Sequence, residues 1–428
     1  MVVKFLDLFA GMGGLRLGFE KAFEEKGITT TCIGTSEIKA HAIEALSKNF
    51  VENHFLGDVC KIDTDTLEDF DVLLAGFPCQ AFSFAGHRLG FSDTRGTLFF
   101  EVERILKAKK PYAFILENVE GLIKHDSISK TDKIGRTFDV ILNSLKSLGY
   151  QVSWNLLDAS DFGVAQTRKR VFIVGTKDTF CKLNDFPIKK SCFEDVMQKG
   201  LPTINNDFSK KLFSRFSPED LYGKAIKDKR GGSENIHSWD LGLKGSVSKD
   251  QSDLLGQILK ERRKKKWAIQ RGVEWKDGMP LTLGQIQAFN NLPNLKDLLD
   301  DLVLKGYLHA DKITTNKETQ EQDTHLEEIG YNIVVGKLSF EFTTILHPKK
   351  NTPTLVAMDL SKIGVIDNNG IRCLSFDECL GLFGFPKEYS LSFFEDRRKL
   401  GYDLLGNSVA VPVAQWVSSQ VCEIMQNQ

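Results

Sequence analysis

The chain has 428 residues, of which 41% are hydrophobic and 26% charged, with 56 Lys and Arg against 57 Asp and Glu. That length and composition suit a soluble globular protein of about two or three domains. No apolar run approaches membrane-spanning length, and the first segment carries Lys4 and Asp7 inside its apolar stretch, unlike a signal peptide, which points to the cytoplasm. The eight cysteines are scattered, with no CxxC pair and no His at metal-ligand spacing, so neither a disulfide framework nor a metal site is expected.

From the start to about Thr176, short β-branched runs alternate with helix-length amphipathic stretches, which predicts a parallel sheet covered by helices. The expected strands are Val2–Phe9, Thr30–Thr35, Asp71–Ala75, Tyr112–Leu116, Gln151–Leu157 and Val171–Gly175, and the expected helices Leu15–Glu25, Ile38–Lys48, Leu98–Ala108 and Arg136–Leu148. The first strand runs into Phe9-Ala-Gly-Met-Gly-Gly14, a turn where a ligand can approach the backbone. It departs from GxGxxG at Arg16, so a nucleoside without a pyrophosphate fits better than a dinucleotide, and a turn used only for packing stays open. Glu37 and Asp58 are expected at the ends of the next two strand regions, either as helix caps or as acceptors for ribose hydroxyls and an adenine amino group.

Gly76-Phe-Pro-Cys-Gln80 follows the third strand directly, so Cys79 should emerge at the carboxyl edge of the sheet, where a thiol is exposed and easily deprotonated. A structural cysteine is the rival reading. Tyr112–Leu116 ends in Glu117-Asn-Val119, which puts a carboxyl group at the same edge, as a catalytic acid or as a cap. In Gln166-Thr-Arg-Lys-Arg170 the alternating Arg168 and Arg170 share one face of an extended segment and suit a base carbonyl, the catalytic carboxylate or a phosphate.

Beyond Asp178 the rhythm fades. Residues 181–280 carry 21 basic and 14 acidic side chains, including Lys260 to Lys266 with only Glu261 interrupting, and Asp311–Glu328 is rich in acidic residues and threonine. We read 178–340 as a separate, irregular domain with few strands, whose basic part suits either phosphate contacts or a solvated face. Regular structure returns with helices at Ser375–Phe383 and near Val413–Met425, so that 341–428 rejoins the first domain, 1–177.

Taken in order, Asp7-Leu-Phe-Ala-Gly-Met-Gly-Gly14, Gly76-Phe-Pro-Cys-Gln80, Arg95-Gly-Thr-Leu-Phe-Phe-Glu101, Glu117-Asn-Val119, Gln166-x-Arg168-x-Arg170, Arg372-x-Leu374-Ser375, Gly384-Phe-Pro386 and Gly406-Asn-Ser-Val409 resemble the DNA cytosine-5 methyltransferase family of bacterial restriction-modification type. The resemblance implies a doubly wound, mostly parallel α/β sheet, the S-adenosylmethionine-dependent methyltransferase fold, with a permuted last helix and an inserted target-recognition domain. By the same resemblance Cys79, Glu117, Arg168 and Arg170 act on the base. Phe9, Gly11, Gly13, Glu37, Ile38, Asp58, Pro78, Asn407 and Val409 line the S-adenosylmethionine pocket, and Gln80, Ser83 and Arg95 contact DNA. Double-stranded DNA is the implied partner, together with a cognate restriction endonuclease, and the implied state is a monomer. One departure is visible, because Gly381 stands where the family usually has Arg. Two rivals stay open: a tRNA substrate, against which Cys192-Phe-Glu argues by not matching that branch's Cys-Phe-Thr, and a catalytically silent protein on the same fold.

Overall fold

The computed structural model describes residues 2–51, 54–78, 98–129, 131–229, 234–319, 322–335 and 340–427, with backbone alone at 315–319 and 322–326. Cys79, Gln80, Ser83 and Arg95 lie outside the described residues. The chain forms two compact units: unit 1 comprises Met1–Gln198, His347–Ser361 and Leu374–Gln428, and unit 2 comprises Lys199–Leu346 and Lys362–Cys373. The boundaries drawn from the sequence therefore move. Residues 178–198 stay with unit 1, while 341–346 and 362–373, including Arg372, join unit 2.

Unit 1 opens with β1 (Val2–Leu8), α1 (Gly14–Glu24), β2 (Thr29–Ser36), α2 (Ala40–Asn49), β3 (Val72–Ala75), α3 (Leu98–Lys109), β4 (Ala113–Val119), α4 (Arg136–Ser147), β5 (Gln151–Asp158) and β6 (Lys169–Thr176). The strands form one sheet in the order β2-β1-β3-β4-β6-β5, in which only β6 runs against the others. Side chains alternate between its faces. Val72 and Leu74 pack with Leu15, Phe19 and Phe23 of α1 on one face, whereas Leu73 and Ala75 pack with Val102, Ile105, Phe138 and Leu142 of α3 and α4 on the other. A strand buried on both sides must be apolar throughout, which is why Val72–Ala75 reads as an unbroken hydrophobic run.

Unit 2 begins with α5 (Asp207–Arg215), α6 (Pro218–Leu221), β7 (Ala225–Ile226), β8 (Asn235–Ile236), α7 (Lys249–Glu261) and α8 (Lys265–Gln270). It continues through β9 (Leu281–Thr282), α9 (Leu283–Gln287), α10 (Leu295–Leu304), the hairpin β10 (Leu308–Thr319) and β11 (Gln322–Ile333), then β12 (Thr344–Ile345), β13 (Ile363–Asp367) and β14 (Gly370–Cys373). These strands build a three-stranded sheet, β10-β11-β9, and a five-stranded one, β14-β13-β12-β7-β8. The sequence reading of this region as poor in strands is thus corrected. Strands of two residues leave no periodic trace, and only Gly330 and Tyr331 of β11 pair with β9, so most of the hairpin has no third strand to impose apolar alternation.

The chain returns to unit 1 as α11 (Phe376–Leu382), α12 (Arg398–Asn407) and α13 (Val411–Gln426). Ser375 caps α11 in a capping box with Glu378. The last helix buries Val413, Ala414, Val417 and Val421 in the same core as α1. At Gly381, the departure from the family pattern, a Cβ would lie 3.0 Å from the Val196 side chain, a tight contact. No described helix is long and apolar enough to cross a membrane.

Candidate active site

Strand order reverses between β1 and β3, because β2 lies to one side of β1 and β3 to the other. Open α/β sheets leave a crevice beyond the carboxyl ends of such strands. Phe9 and the glycine turn follow β1 at this crevice, and Gly76-Phe77-Pro78 follows β3. Phe9 holds φ at +55°, a conformation non-glycine residues rarely adopt, and Gly13 holds +79°. A side chain at Gly13 is excluded twice, since its Cβ would also meet the Phe50 ring at 2.5 Å. Above Gly11, in contrast, the space is open, with no atom within 4 Å of an added Cβ.

The Gly11 N–H donates to Glu37 Oε2 at 2.8 Å, and the Ile38 and Lys39 N–H groups donate to Oε1 at 2.8 and 2.9 Å. Glu37 therefore ties the segment leading into α2 to the glycine turn, and each oxygen keeps acceptor capacity for a ligand hydroxyl. Ile38 beside it is 72% exposed, an apolar surface suited to covering a ring. Asp58 does not end a strand. It caps the helical turn Val59–Lys61 by accepting from the Cys60 N–H at 3.0 Å, and the Ser36 hydroxyl, donating to the Gly57 carbonyl, holds that turn beside β2. Val409 borders the glycine turn, its carbonyl 3.0 Å from where a Cβ on Gly14 would sit. Asn407, exposed, closes α12 two residues earlier. Beneath the turn Asp7 is 1% exposed, and burial pushes its carboxyl up to about 7 despite the charge of Arg16.

At the far side of the crevice Glu117 lies one residue beyond the end of β3, whose Ala75 pairs with Leu116. A Cβ on Gly76 would stand 3.5 Å from Glu117 Oε2 and 3.9 Å from the Phe9 carbonyl, so the residues that follow β1 and β3 meet here with Glu117 of β4. That strand runs on to Val119, past the Leu116 end expected from the sequence. Arg170 Nε meets Glu117 Oε1 at 2.9 Å, with both side chains only about one-seventh exposed (15% and 14%). Burial holds the Glu117 carboxyl above the usual carboxylate range, against the pull of Arg170 and Arg168. Asn118, a residue to which the sequence assigned no task, is 3% exposed and donates from Nδ2 to the Phe77 carbonyl at 2.9 Å. It anchors the turn that leads into Cys79, and an amide at a buried strand end was the available signal.

The three alternating residues of the Gln-x-Arg-x-Arg segment divide their work. Gln166, fully buried, donates to the Leu382 carbonyl and accepts from the Leu355 N–H. Arg168, 1% exposed, donates to the carbonyls of Leu355, Gly406 and Ser408 at 3.1, 2.9 and 2.6 Å and lies 5.0 Å from the Phe383 ring centre. Burial, joined by the charge of Arg170, pushes its guanidinium down to about 9. Only Arg170 reaches the carboxylate by hydrogen bond. Arg168, expected from the sequence to orient the base, instead braces the returning chain on either side of Asn407. Among the described residues no group of His, Cys, Asp or Glu is arranged to hold a metal ion.

A doubly wound sheet with an open glycine turn, an acid after β2 tied to that turn and a carboxyl on β4 whose pKa is raised by burial fits an α/β methyltransferase. Residues 3–423 match the model of the C-5 cytosine-specific DNA methylases, and the chain belongs to that family. It is 52% identical over 419 residues, 98% of either chain, to the Type II methyltransferase M.NlaIV of Neisseria lactamica, and 38% identical over 442 residues to M.BanI of Aneurinibacillus aneurinilyticus, covering 97% of this chain and 95% of that one. Among solved structures, S. pombe Dnmt2 methyltransferase shares the fold, with a TM-score of 0.53, 15% identity and 99% of both chains covered.

Proposed function

We propose that this C-5 cytosine-specific DNA methylase transfers a methyl group from S-adenosylmethionine to a cytosine in a specific duplex sequence, through a covalent adduct on Cys79. The observation that carries this reading is the buried Glu117–Arg170 pair, set beside the turn that runs into Cys79. Cytosine carbon 5 is too poor in electrons to accept a methyl group unaided. The Cys79 thiolate adds at carbon 6, its electron pair forming the C–S bond as the carbon 5–carbon 6 π bond opens into an enamine that makes carbon 5 nucleophilic, while a protonated Glu117 donates to ring nitrogen 3 and stabilises the adduct. Arg170 orients that carboxyl and faces the base carbonyl. After transfer, loss of the carbon 5 proton to water lets its electron pair re-form the carbon 5–carbon 6 double bond, and the sulfur leaves with the C–S pair as a thiolate.

The open face above Gly11, the acceptors of Glu37 and Asp58 and the exposed Ile38 fit a nucleoside, and with Phe9, Gly13, Pro78, Asn407 and Val409 they would hold S-adenosylmethionine. Bound there, that group supplies the electrophilic methyl. A stacked base cannot reach the crevice, so it must be flipped out, at a cost of a few kcal/mol. Gln80, Ser83 and Arg95 follow Cys79 in sequence and would offset part of that cost by contacts to DNA. Unit 2 is the target-recognition domain of this scheme, the enzyme acts as a cytoplasmic monomer, and the likeness to Type II methyltransferases points to a restriction-modification system with an endonuclease of the same specificity.

Incubation with methyl-labelled donor and either duplex DNA or tRNA tests the reading. Label in 5-methylcytosine of DNA alone is expected, and label in tRNA alone would overturn it. The raised Glu117 pKa adds a pH signature. The protonated carboxyl is the active form, so its contribution persists at low pH and disappears as pH rises through the raised pKa. Glu117→Gln keeps an N–H donor that does not titrate, so the ratio of wild-type to variant kcat/KM should fall as pH rises; a ratio that does not change with pH would remove Glu117 as the acid.

The basic turn between α7 and α8 gives unit 2 its own test. Lys264, Lys265 and Lys266 are exposed, with Lys266 Nζ 4.0 Å from the Trp267 ring centre and Lys265 Nζ 5.4 Å from that of Trp275. If the turn grips phosphates, Lys265→Gln should reduce the slope of log K against log salt by about 1 in anisotropy titrations, because each neutralised phosphate releases about 0.9 counterion. An unchanged slope would assign the turn to solvent.

A further inference from the structure

The rim of the nucleoside pocket is assembled from stretches more than 360 residues apart in sequence, and one carboxylate joins them. Glu37 and Ile38 precede Lys39, the cap of α2, while Asn407 ends α12. Asp403, one turn before Asn407, accepts from Lys39 Nζ at 2.7 Å and from His41 Nε2 at 2.8 Å, both on Oδ2. The Asn407 side-chain amide donates to Asp403 Oδ1 at 3.1 Å and to the Asp403 carbonyl at 2.7 Å. Burial works to raise the Asp403 pKa, yet the Lys39 and His41 contacts hold it below the usual carboxylate range, so the group is a carboxylate at neutral pH.

We propose that Asp403 is a positioning residue for the cofactor, a clasp that holds the Glu37–Ile38 turn and the Asn407 amide at the spacing a nucleoside requires. This rests on the reading of the rim as the S-adenosylmethionine pocket. Among the described residues Asp403 hydrogen-bonds to one candidate cofactor contact, Asn407, and it acts through its neighbours. An amide whose NH2 is held twice cannot flip, which fixes the end it offers to a ligand. Removing the clasp should not loosen the fold, because α2 has two further anchors along its length. Glu44 pairs with Arg397 at 2.8 Å, and Asn49 exchanges hydrogen bonds with the Ser390 backbone, at 3.0 Å to its carbonyl and 2.8 Å from its N–H. The effect is then confined to the end of α2 that borders the pocket.

Calorimetric titration of S-adenosylmethionine and S-adenosylhomocysteine into the full chain without DNA tests this. Asp403→Ala should raise Kd about tenfold, and Lys39→Met only about two- to threefold, since that ion pair is half exposed and one of two partners. With DNA, Asp403→Ala should raise KM for S-adenosylmethionine while kcat at saturation stays within about twofold, and Tm should be nearly unchanged. A Kd within twofold of wild type overturns the clasp, as does a loss of kcat at saturation accompanied by a lower Tm. Failure of the wild type to bind either nucleoside would instead overturn the pocket.

Discussion

Cys79→Ser protein is expected to transfer methyl groups to duplex DNA roughly 10⁴-fold more slowly than wild type, or not measurably, while binding S-adenosylmethionine with nearly the same affinity. A thiol titrates within a few units of neutrality and its thiolate is a strong nucleophile, whereas a serine hydroxyl stays protonated near neutral pH. Glu117 does not serve as a base for it in this scheme, because it acts as the proton donor and Arg170 occupies one of its oxygens. A duplex carrying 5-fluorocytosine at the target sharpens the test. Fluorine cannot leave carbon 5 as a cation, so after methyl transfer the sulfur cannot be expelled. The wild type should remain covalently attached on a denaturing gel in the presence of the methyl donor, and the serine variant should not. Release of the wild type under those conditions would sink the covalent route.

The second large effect separates the two arginines. Arg168→Met leaves three carbonyls, of Leu355, Gly406 and Ser408, without their donor in a region closed to water. At about 1–3 kcal/mol per unsatisfied group, with partial relaxation, a loss of about 3–5 kcal/mol is expected, seen as a Tm lower by on the order of 10 °C. Arg170→Met takes the partner from Glu117 and from the exposed Lys169 carbonyl, and burial, which already raises the Glu117 pKa, favours the neutral carboxyl once the cation is gone. Stability should therefore change little, while kcat falls about 10²- to 10³-fold through loss of the group that orients the acid. Equal Tm losses in the two variants would show that the division of labour is wrong. A Tm loss confined to Arg170→Met would reverse the assignment.

These arginines also mark where reading the chain from its residues stops. Period-two alternation places Gln166, Arg168 and Arg170 on one face, and the structure keeps them there. Which of them touches the carboxylate depends on what packs against each, and the partners of Arg168 lie 187 to 240 residues away. Glu37 and Asp58 were legible as acids near the pocket, but Asp58 sits on a helical turn rather than at a strand end, a distinction that depends on the Ser36 hydroxyl holding Gly57. Asp403 carried no signal at all, since an Asp on an amphipathic helix is unremarkable until α2 is laid beside it.

The sequence by itself determined the sheet of unit 1, the edge at which Glu117 emerges and the family, because buried parallel strands need continuous apolar runs and tight turns need glycine, both local demands. Tertiary structure alone decided the extent of unit 2, whose two-residue strands and largely unpartnered hairpin impose no pattern on their residues. It also decided the tasks of Arg168, Asn118 and Asp403, since a hydrogen bond between distant segments leaves no periodicity in either one.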